Sequence, residues 1–248
     1  RWELARYYAW TNRRAAQGAR RIIAVSAALK SEWVRFGLPA EKIDVLRTAT
    51  TDPPETWDGQ PRSAGPLRLL YVGRTQWEKG PDVLLESLLR CRSLGVDTTL
   101  TIVGPVPDGD SLRRSAVRDG LDVRFAGPQS NEVARRMMAQ SDALIIPSRY
   151  DSCPVVAIEG LAAGALIIAS RVGGLPEQIE DGETGLLVPE DNPDALASAI
   201  QRVASDADLA ARLRRAALEA GWKHRWSHRA TEILESYRQT AAAEPRES

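Results

Sequence analysis

From residue 67 onward the chain alternates short apolar runs with helical patterns, and this alternation constrains the fold more than any other feature. "LRLLYVG" (67–73) reads as a buried strand ending in glycine. "GPDVLLESLLRCRSLG" (80–95) follows with apolar residues at 83, 84, 88 and 89 on helical spacing, Pro81 near its start and Gly95 past its end. Further strands are expected at "TTLTIVG", "LDVRFAG", "DALIIPS", "ALIIAS" and "TGLLVP". Helices are expected at "DSLRRSAVRDG", "NEVARRMMAQS", "PVVAIEGLAAG" and around 193–204 and 207–220. Elements of these lengths in strict alternation predict an α/β fold, a parallel sheet with helices on both faces. Such sheets bind ligands outside the carboxyl ends of their strands. That rule selects the loops 73–80, 104–110, 127–131, 147–154 and 170–176.

The amino-terminal stretch differs. Residues 1–20 read as helical and Arg-rich, and "RIIAV", "SAALKSEWVRFG" and "KIDVL" as strand, helix and strand. Such a fragment cannot bury both of its faces alone, so residues 1–50 are expected to be the remnant of a preceding domain. Residues 51–66, rich in Pro, Thr and Gly, read as a linker and hinge. The functional unit is expected over 67–222. The segment 223–248, with the helix "WSHRATEILESYRQT", is expected to return toward the amino-terminal unit, its last residues "AAAEPRES" fraying. The first residue is arginine rather than methionine, so a piece of a longer protein is expected.

Charge excludes some partners. The chain has 33 basic and 33 acidic residues, which leaves no basic face for nucleic acid or an anionic membrane. The basic residues are mostly arginine, as GC-rich bacterial coding would produce, and lysine occurs only at Lys30, Lys42, Lys79 and Lys223. Lys79 is therefore more informative than any single arginine. The apolar runs are strand-sized, far short of a membrane span, and no signal peptide is evident. A cytoplasmic location is expected, with any membrane association peripheral and through the preceding domain. Cys91 and Cys153 supply neither a disulfide framework nor a metal cluster.

Two loops hold the chemistry. "YVGRTQWEKG" (71–80) sets Arg74 and Lys79 just past a strand's carboxyl end, where they would meet an anion. In "SRYDSCPVVAIEG" (148–160), Asp151 lies in a loop and Glu159 eight positions on, in the following helix. Cys153 and Pro154 fall where that helix begins, with Pro154 suited to its first turn. The free main-chain N–H groups of 153–157 would face the crevice and favour an anion. Carboxylates beside such donors suit a phosphate that carries hydroxylated rings, because hydroxyls donate to carboxylates. An unpaired carboxylate within "VVAIEGLAAG" would be costly, so Glu159 requires a partner, and a ligand is the favoured one.

"VGR…EKG", the Asp151-to-Glu159 spacing and "ASRVGGLPEQIEDGETGLLVP" together resemble retaining glycosyltransferases of family 4. The likeness runs from "RIIAVSAALK" to "WSHRATEILESYR" and is strongest over 67–190. It implies a GT-B fold of two Rossmann-like domains, with the nucleotide-sugar donor bound mainly to the second, which this chain would hold. It also implies that Arg74 and Lys79 neutralise the donor diphosphate, that Glu159 accepts from the ribose hydroxyls, and that Asp151 holds hydroxyls of the transferred sugar. The loop of Ser152, Cys153, Pro154 and Val155 would lend main-chain amides. The resemblance implies transfer with retention, no metal and no cofactor besides the donor. The acceptor, whether glycan, lipid or small molecule, would be met by the missing amino-terminal domain in cis or in trans. The family carries glutamate where this chain has Asp151, and an Asn-Gly-Val-Asp-like turn where it has "RTATTD". Those departures raise an alternative, a non-catalytic nucleotide-sugar-binding or partner subunit with the same fold.

Simpler readings stand beside these. Cys153 reads as a small filler at a helix start rather than a nucleophile, with no histidine near it in sequence. "DGD" (108–110) reads as a turn and helix cap rather than a metal site. Gly173 and Gly174 read as a tight strand-to-helix turn, and His224 and His228 as residues four apart on one face of the last helix.

Overall fold

The computed structural model of the chain describes residues 16, 18–60, 65–106 and 109–242. The expectations for residues 1–15, for Asp108 in "DGD" and for the segment 243–248 lie outside them. A small unit comes first: strand β1 (Ile22–Ala24), helix α1 (Ala27–Arg35) and strand β2 (Ile43–Val45). Strands β1 and β2 pair in parallel, with Ile22 opposite Ile43. Ala16, Ala24, Leu38 and Ile43 form its core, with Leu29 and Trp33 packed against it.

The main unit is the alternation seen in the sequence. Its elements are β3 (Leu67–Val72), α2 (Pro81–Ser93), β4 (Thr98–Val103), α3 (Gly109–Arg118), β5 (Val123–Gly127), α4 (Asn131–Gln140), β6 (Ala143–Ile146) and α5 (Val155–Ala163). They continue as β7 (Ile167–Ser170), α6 (Leu175–Gln178), β8 (Leu186–Val188), α7 (Pro193–Ser205), α8 (Ala207–Gly221) and α9 (Trp226–Ala242). Six parallel strands lie in the order β5-β4-β3-β6-β7-β8, the doubly wound, Rossmann-like arrangement that the alternation predicts. Side chains alternate between two cores because strand residues point to opposite faces in turn. Leu69, Tyr71, Ile145 and Ile168 enter one core, while Leu70, Leu144, Ile146 and Ile167 enter the other. The direction of winding reverses between β3 and β6, so a crevice opens outside their carboxyl ends.

Specific bonds join the two units. Ser26 caps α1 through its side chain, which accepts from Leu29 N at 3.1 Å. The Glu177 carboxylate of α6 accepts from Ala27 N at 3.0 Å, Ala28 N at 2.8 Å and Arg47 Nη2 at 3.1 Å. Burial pushes the Glu177 carboxyl up, but these three donors outweigh it and hold the group below its ordinary range. Tyr150 OH donates to Glu32 at 2.9 Å, a second link. The stretch read as a hinge is pinned by tertiary bonds that its composition does not report. Thr50 N donates to the His224 carbonyl at 2.8 Å, Arg225 pairs with Asp52 at 2.9 Å, and Trp57 N donates to the Ala163 carbonyl at 2.9 Å.

His224 lies in a short 3-10 turn, Trp222–His224, ahead of α9 and not within it, so it does not share a helix with His228. Its side chain is buried and its Nδ1 has no hydrogen-bond partner among the described residues. Burial, aided by Arg229, Arg47 and Lys223, pushes its pKa down to about 4 from an ordinary 6.5. The unfolded chain therefore takes up this proton first as pH falls. The stability due to neutral burial is full above about pH 6.5, declines below it, and levels out near pH 4 after a loss of about 3 kcal/mol. His224→Leu is expected to remove that part of the acid sensitivity. Urea unfolding of both chains across this window tests it, and identical pH dependence in the two would refute the assignment.

Candidate functional site

The crevice at the reversal of the sheet is a cavity of about 330 Å³. The ends of β3 and β6 and the start of α5 form its walls through Val72, Gly73, Ile146, Ser148, Val155 and Val156. Arg74, Lys79 and Asp151 project into the same space, with Cys153 and Pro154 beside them. Of the expected site residues, Ser152 and Glu159 are not among the lining groups.

Each charged group is held in place by its neighbours. Tyr71 OH donates to the Arg74 carbonyl at 2.5 Å and fixes the chain just past β3. The Arg74 side chain is 58% exposed and, among the described residues, its one ion pair is with Glu78, at 4.0 Å. Lys79 ends a 3-10 turn, Trp77–Lys79, and its Nζ contacts Asp151 Oδ2 at 2.5 Å. Gly80 closes that turn with a left-handed φ of 64°, and a Cβ there would lie 2.0 Å from the Pro147 carbonyl oxygen. The turn therefore seats directly on the loop after β6, which brings lysine and aspartate together.

Arg149 secures this seating, and sequence reasoning did not single it out. Its backbone N donates to the Glu78 carbonyl at 2.9 Å, and its Nη1 to the Trp77 carbonyl at 2.8 Å. The same guanidinium forks onto Asp82 with two bonds of 2.8 Å, reaches Asp191 at 2.7 and 2.9 Å, and lies 4.9 Å from the Trp77 ring centre. Arg149 holds the Asp82 carboxyl below its usual range, against an opposing push from burial. Its sequence signal was its place in one of the strand-end loops.

Helix α5 begins at Val155, and Pro154 is its N-cap residue instead of a member of its first turn. No side chain caps it. Ala157 N already donates to the Pro154 carbonyl at 3.1 Å, while Val155 and Val156 N–H have no backbone partner among the described residues. These two amides and the helix dipole favour an anion. Gly173 and Gly174 support the loop from below. A Cβ on Gly173 would fall 1.8 Å from the Asp151 carbonyl oxygen, and one on Gly174 would fall 2.3 Å from that of Ser152. Burial pushes the Cys153 thiol up and outweighs the opposing pull of Gln178 Nε2, which donates to its sulfur at 3.2 Å, so it is no ready thiolate.

Glu159 sits one turn along α5, on the face of Val155 and Val156. The partner that its apolar helix demands is Arg135 of α4, at 2.9 and 3.1 Å, so a ligand is not required to balance it. Two further concavities, of about 60 and 300 Å³, lie at the opposite rim, against Asp142 and Arg214. Their cations are committed within the chain, Arg68 to Asp142 at 2.8 Å and Arg214 to main-chain carbonyls. Among the described residues, no group of three His, Cys, Asp or Glu is arranged to hold a metal ion, and no helix is long and apolar enough to cross a membrane.

The doubly wound α/β unit thus sets two cations and an uncapped helix start at its switch point, an arrangement whose charge favours an anion. Residues 55–220 match the family described as glycosyl transferases group 1, and the chain belongs to that family. It is 35% identical over 185 residues to the D-inositol 3-phosphate glycosyltransferase of Jonesia denitrificans, a match over 71% of this chain and 43% of the relative. It is 32% identical over 199 residues to the glycogen synthase of Mycobacterium tuberculosis, over 79% of this chain and 48% of the relative. The chain thus spans less than half the length of either relative. Among solved structures, sucrose-phosphate synthase from Thermosynechococcus elongatus matches with a TM-score of 0.81 at 28% identity, over 95% of this chain and 62% of that one. Anabaena HepE, solved in complex with UDP, shares the fold with a TM-score of 0.79 at 21% identity, over 91% and 65% of the two chains.

Proposed function

We propose that this chain is the donor-binding half of a retaining, family-4-type glycosyltransferase that takes its sugar from a nucleoside diphosphate. The observation that carries the reading is the convergence of Arg74, Lys79, Asp151 and the start of α5 on one cavity at the switch point. In transfer, the bond between the sugar's anomeric carbon and the diphosphate breaks, an acceptor hydroxyl forms the new bond, and charge accumulates on the leaving diphosphate. Arg74, Lys79 and the Val155 and Val156 amides are set to neutralise that charge without a metal. Asp151, already salt-bridged to Lys79, accepts from hydroxyls of the sugar. Glu159 accepts from the ribose. The acceptor is met by an amino-terminal domain supplied in cis or in trans, as in a protein of the relatives' full length.

Calorimetric titration with UDP, ADP and GDP, and with their glucose conjugates, tests the reading. Saturable binding of at least one nucleotide, competed by its sugar conjugate, is expected. Absence of binding by all of them sinks the proposal.

A further inference from the structure

Glu159 is presented in a way that its burial alone does not require. Arg135 Nε and Nη2 both donate to one carboxylate oxygen, Oε1, at 3.1 and 2.9 Å. None of the hydrogen bonds among the described residues falls on Oε2. The third arm of the same guanidinium, Nη1, donates to Thr51 Oγ1 at 2.5 Å, which ties α4 to the segment that joins the two units. The two side chains are only 13% and 16% exposed, so the fork is held by its surroundings as well as by its bonds. Glu159 does not itself line the cavity but stands one helical turn beyond Val155 and Val156, which do.

We infer that Arg135 is a positioning residue that locks Glu159 by one oxygen so that the other meets the ribose hydroxyls, and so sets the preference for a ribonucleotide over a deoxyribonucleotide. The inference rests on the donor-binding reading above. A carboxylate held by a two-pronged donor at Oε1 loses its rotational freedom while keeping the lone pairs of Oε2. Two lone pairs match the vicinal 2′- and 3′-hydroxyls that a ribose presents. A planar guanidinium can fix the carboxylate in this way and reach Thr51 as well, whereas an ammonium cannot do all three.

The test compares wild type, Arg135→Met and Arg135→Lys by calorimetry with UDP, ADP and GDP and with dUDP, dADP and dGDP, each variant first checked for folding by thermal melting. Wild type is expected to favour the ribonucleotide by about 10-fold. In Arg135→Met that ratio is expected to fall to about one, the ribonucleotide losing both hydroxyl contacts and the deoxy form only its 3′-hydroxyl contact, and Arg135→Lys should be intermediate. A ratio preserved in both variants, with ribo and deoxy forms weakened alike, overturns the inference and leaves Arg135 a structural strut. Tighter ribonucleotide binding by Arg135→Met also overturns it, because Arg135 would then be a competitor for Glu159. Failure of every nucleotide to bind wild type instead removes the donor-binding reading, so the two failures are distinct.

Discussion

A Lys79→Met variant is expected to bind nucleoside diphosphate about 100-fold more weakly than the wild-type chain. Two effects add. Losing a charge-assisted contact to the diphosphate costs roughly 1.5–3 kcal/mol. The substitution also strips Asp151 of its salt bridge, leaving a largely buried carboxylate, 12% exposed, beside an incoming anion. The sum is about 3 kcal/mol. Arg74→Ala should cost less, about 10-fold, because that side chain is more exposed and more screened. The second effect makes the claim specific: adding Asp151→Asn to Lys79→Met should recover about 10-fold of the lost affinity. Calorimetry on the four chains of the cycle gives the answer. Lys79→Met within about twofold of wild type would remove Lys79 from the phosphate site. A double variant no better than the single one would place Asp151 away from it.

The fold was legible because strands buried on both faces and helices buried on one leave different periodicities in the sequence. "ALII" of β6 and "IIAS" of β7 have no exposed residue, while α2 buries Val83, Leu84, Leu85 and Leu88 and exposes Asp82 and Glu86. The neighbourhood of Arg74, Lys79 and Asp151 followed from the strand-end rule applied to the same pattern. The arginines that hold the site together did not follow. Arg135 and Arg149 find their partners 24 and 67 residues away, and Glu177 caps α1 across 150 residues. No local pattern marks such pairings, and in a chain so rich in arginine each reads as a solvated charge. The burial argument for Glu159 correctly demanded a counter-group but could not distinguish a ligand from Arg135. The composition of 51–66, read as a linker, likewise does not report the bonds of Asp52 to Arg225 and of Trp57 to the Ala163 carbonyl, because distant partners are not local information.

Arg214 shows how much such a distant pairing can be worth, and Arg214→Met is expected to destabilise the fold by about 4 kcal/mol. In "LAARLRRAALEA" it reads as one more surface arginine, yet it is buried. Its Nε donates to the Gly164 carbonyl at 3.0 Å, Nη1 to Ser141 at 2.8 Å and Nη2 to Ala139 at 2.5 Å. These carbonyls belong to the carboxyl ends of α4 and α5, where helix dipoles present partial negative charge. The Trp57 ring, 5.0 Å from the guanidinium, adds a cation–π contact. Burial pulls the pKa of Arg214 down to about 10, against a smaller upward pull from Asp142, so the group stays charged at neutral pH. Methionine fills a similar volume but donates nothing, leaving three buried carbonyls unpaired at roughly 1–3 kcal/mol each, less whatever water recovers. For a chain of this size the loss corresponds to a melting temperature about 10 °C lower. Arg214→Lys, with one ammonium for three acceptors, should fall between. Helix α5 carries the amides at the switch-point cavity, but Arg214 holds its far end. Nucleotide affinity well below the melting point should therefore change little, separating a loss of stability from a loss of site. A melting temperature for Arg214→Met within about two degrees of wild type would show that water replaces the guanidinium at little cost.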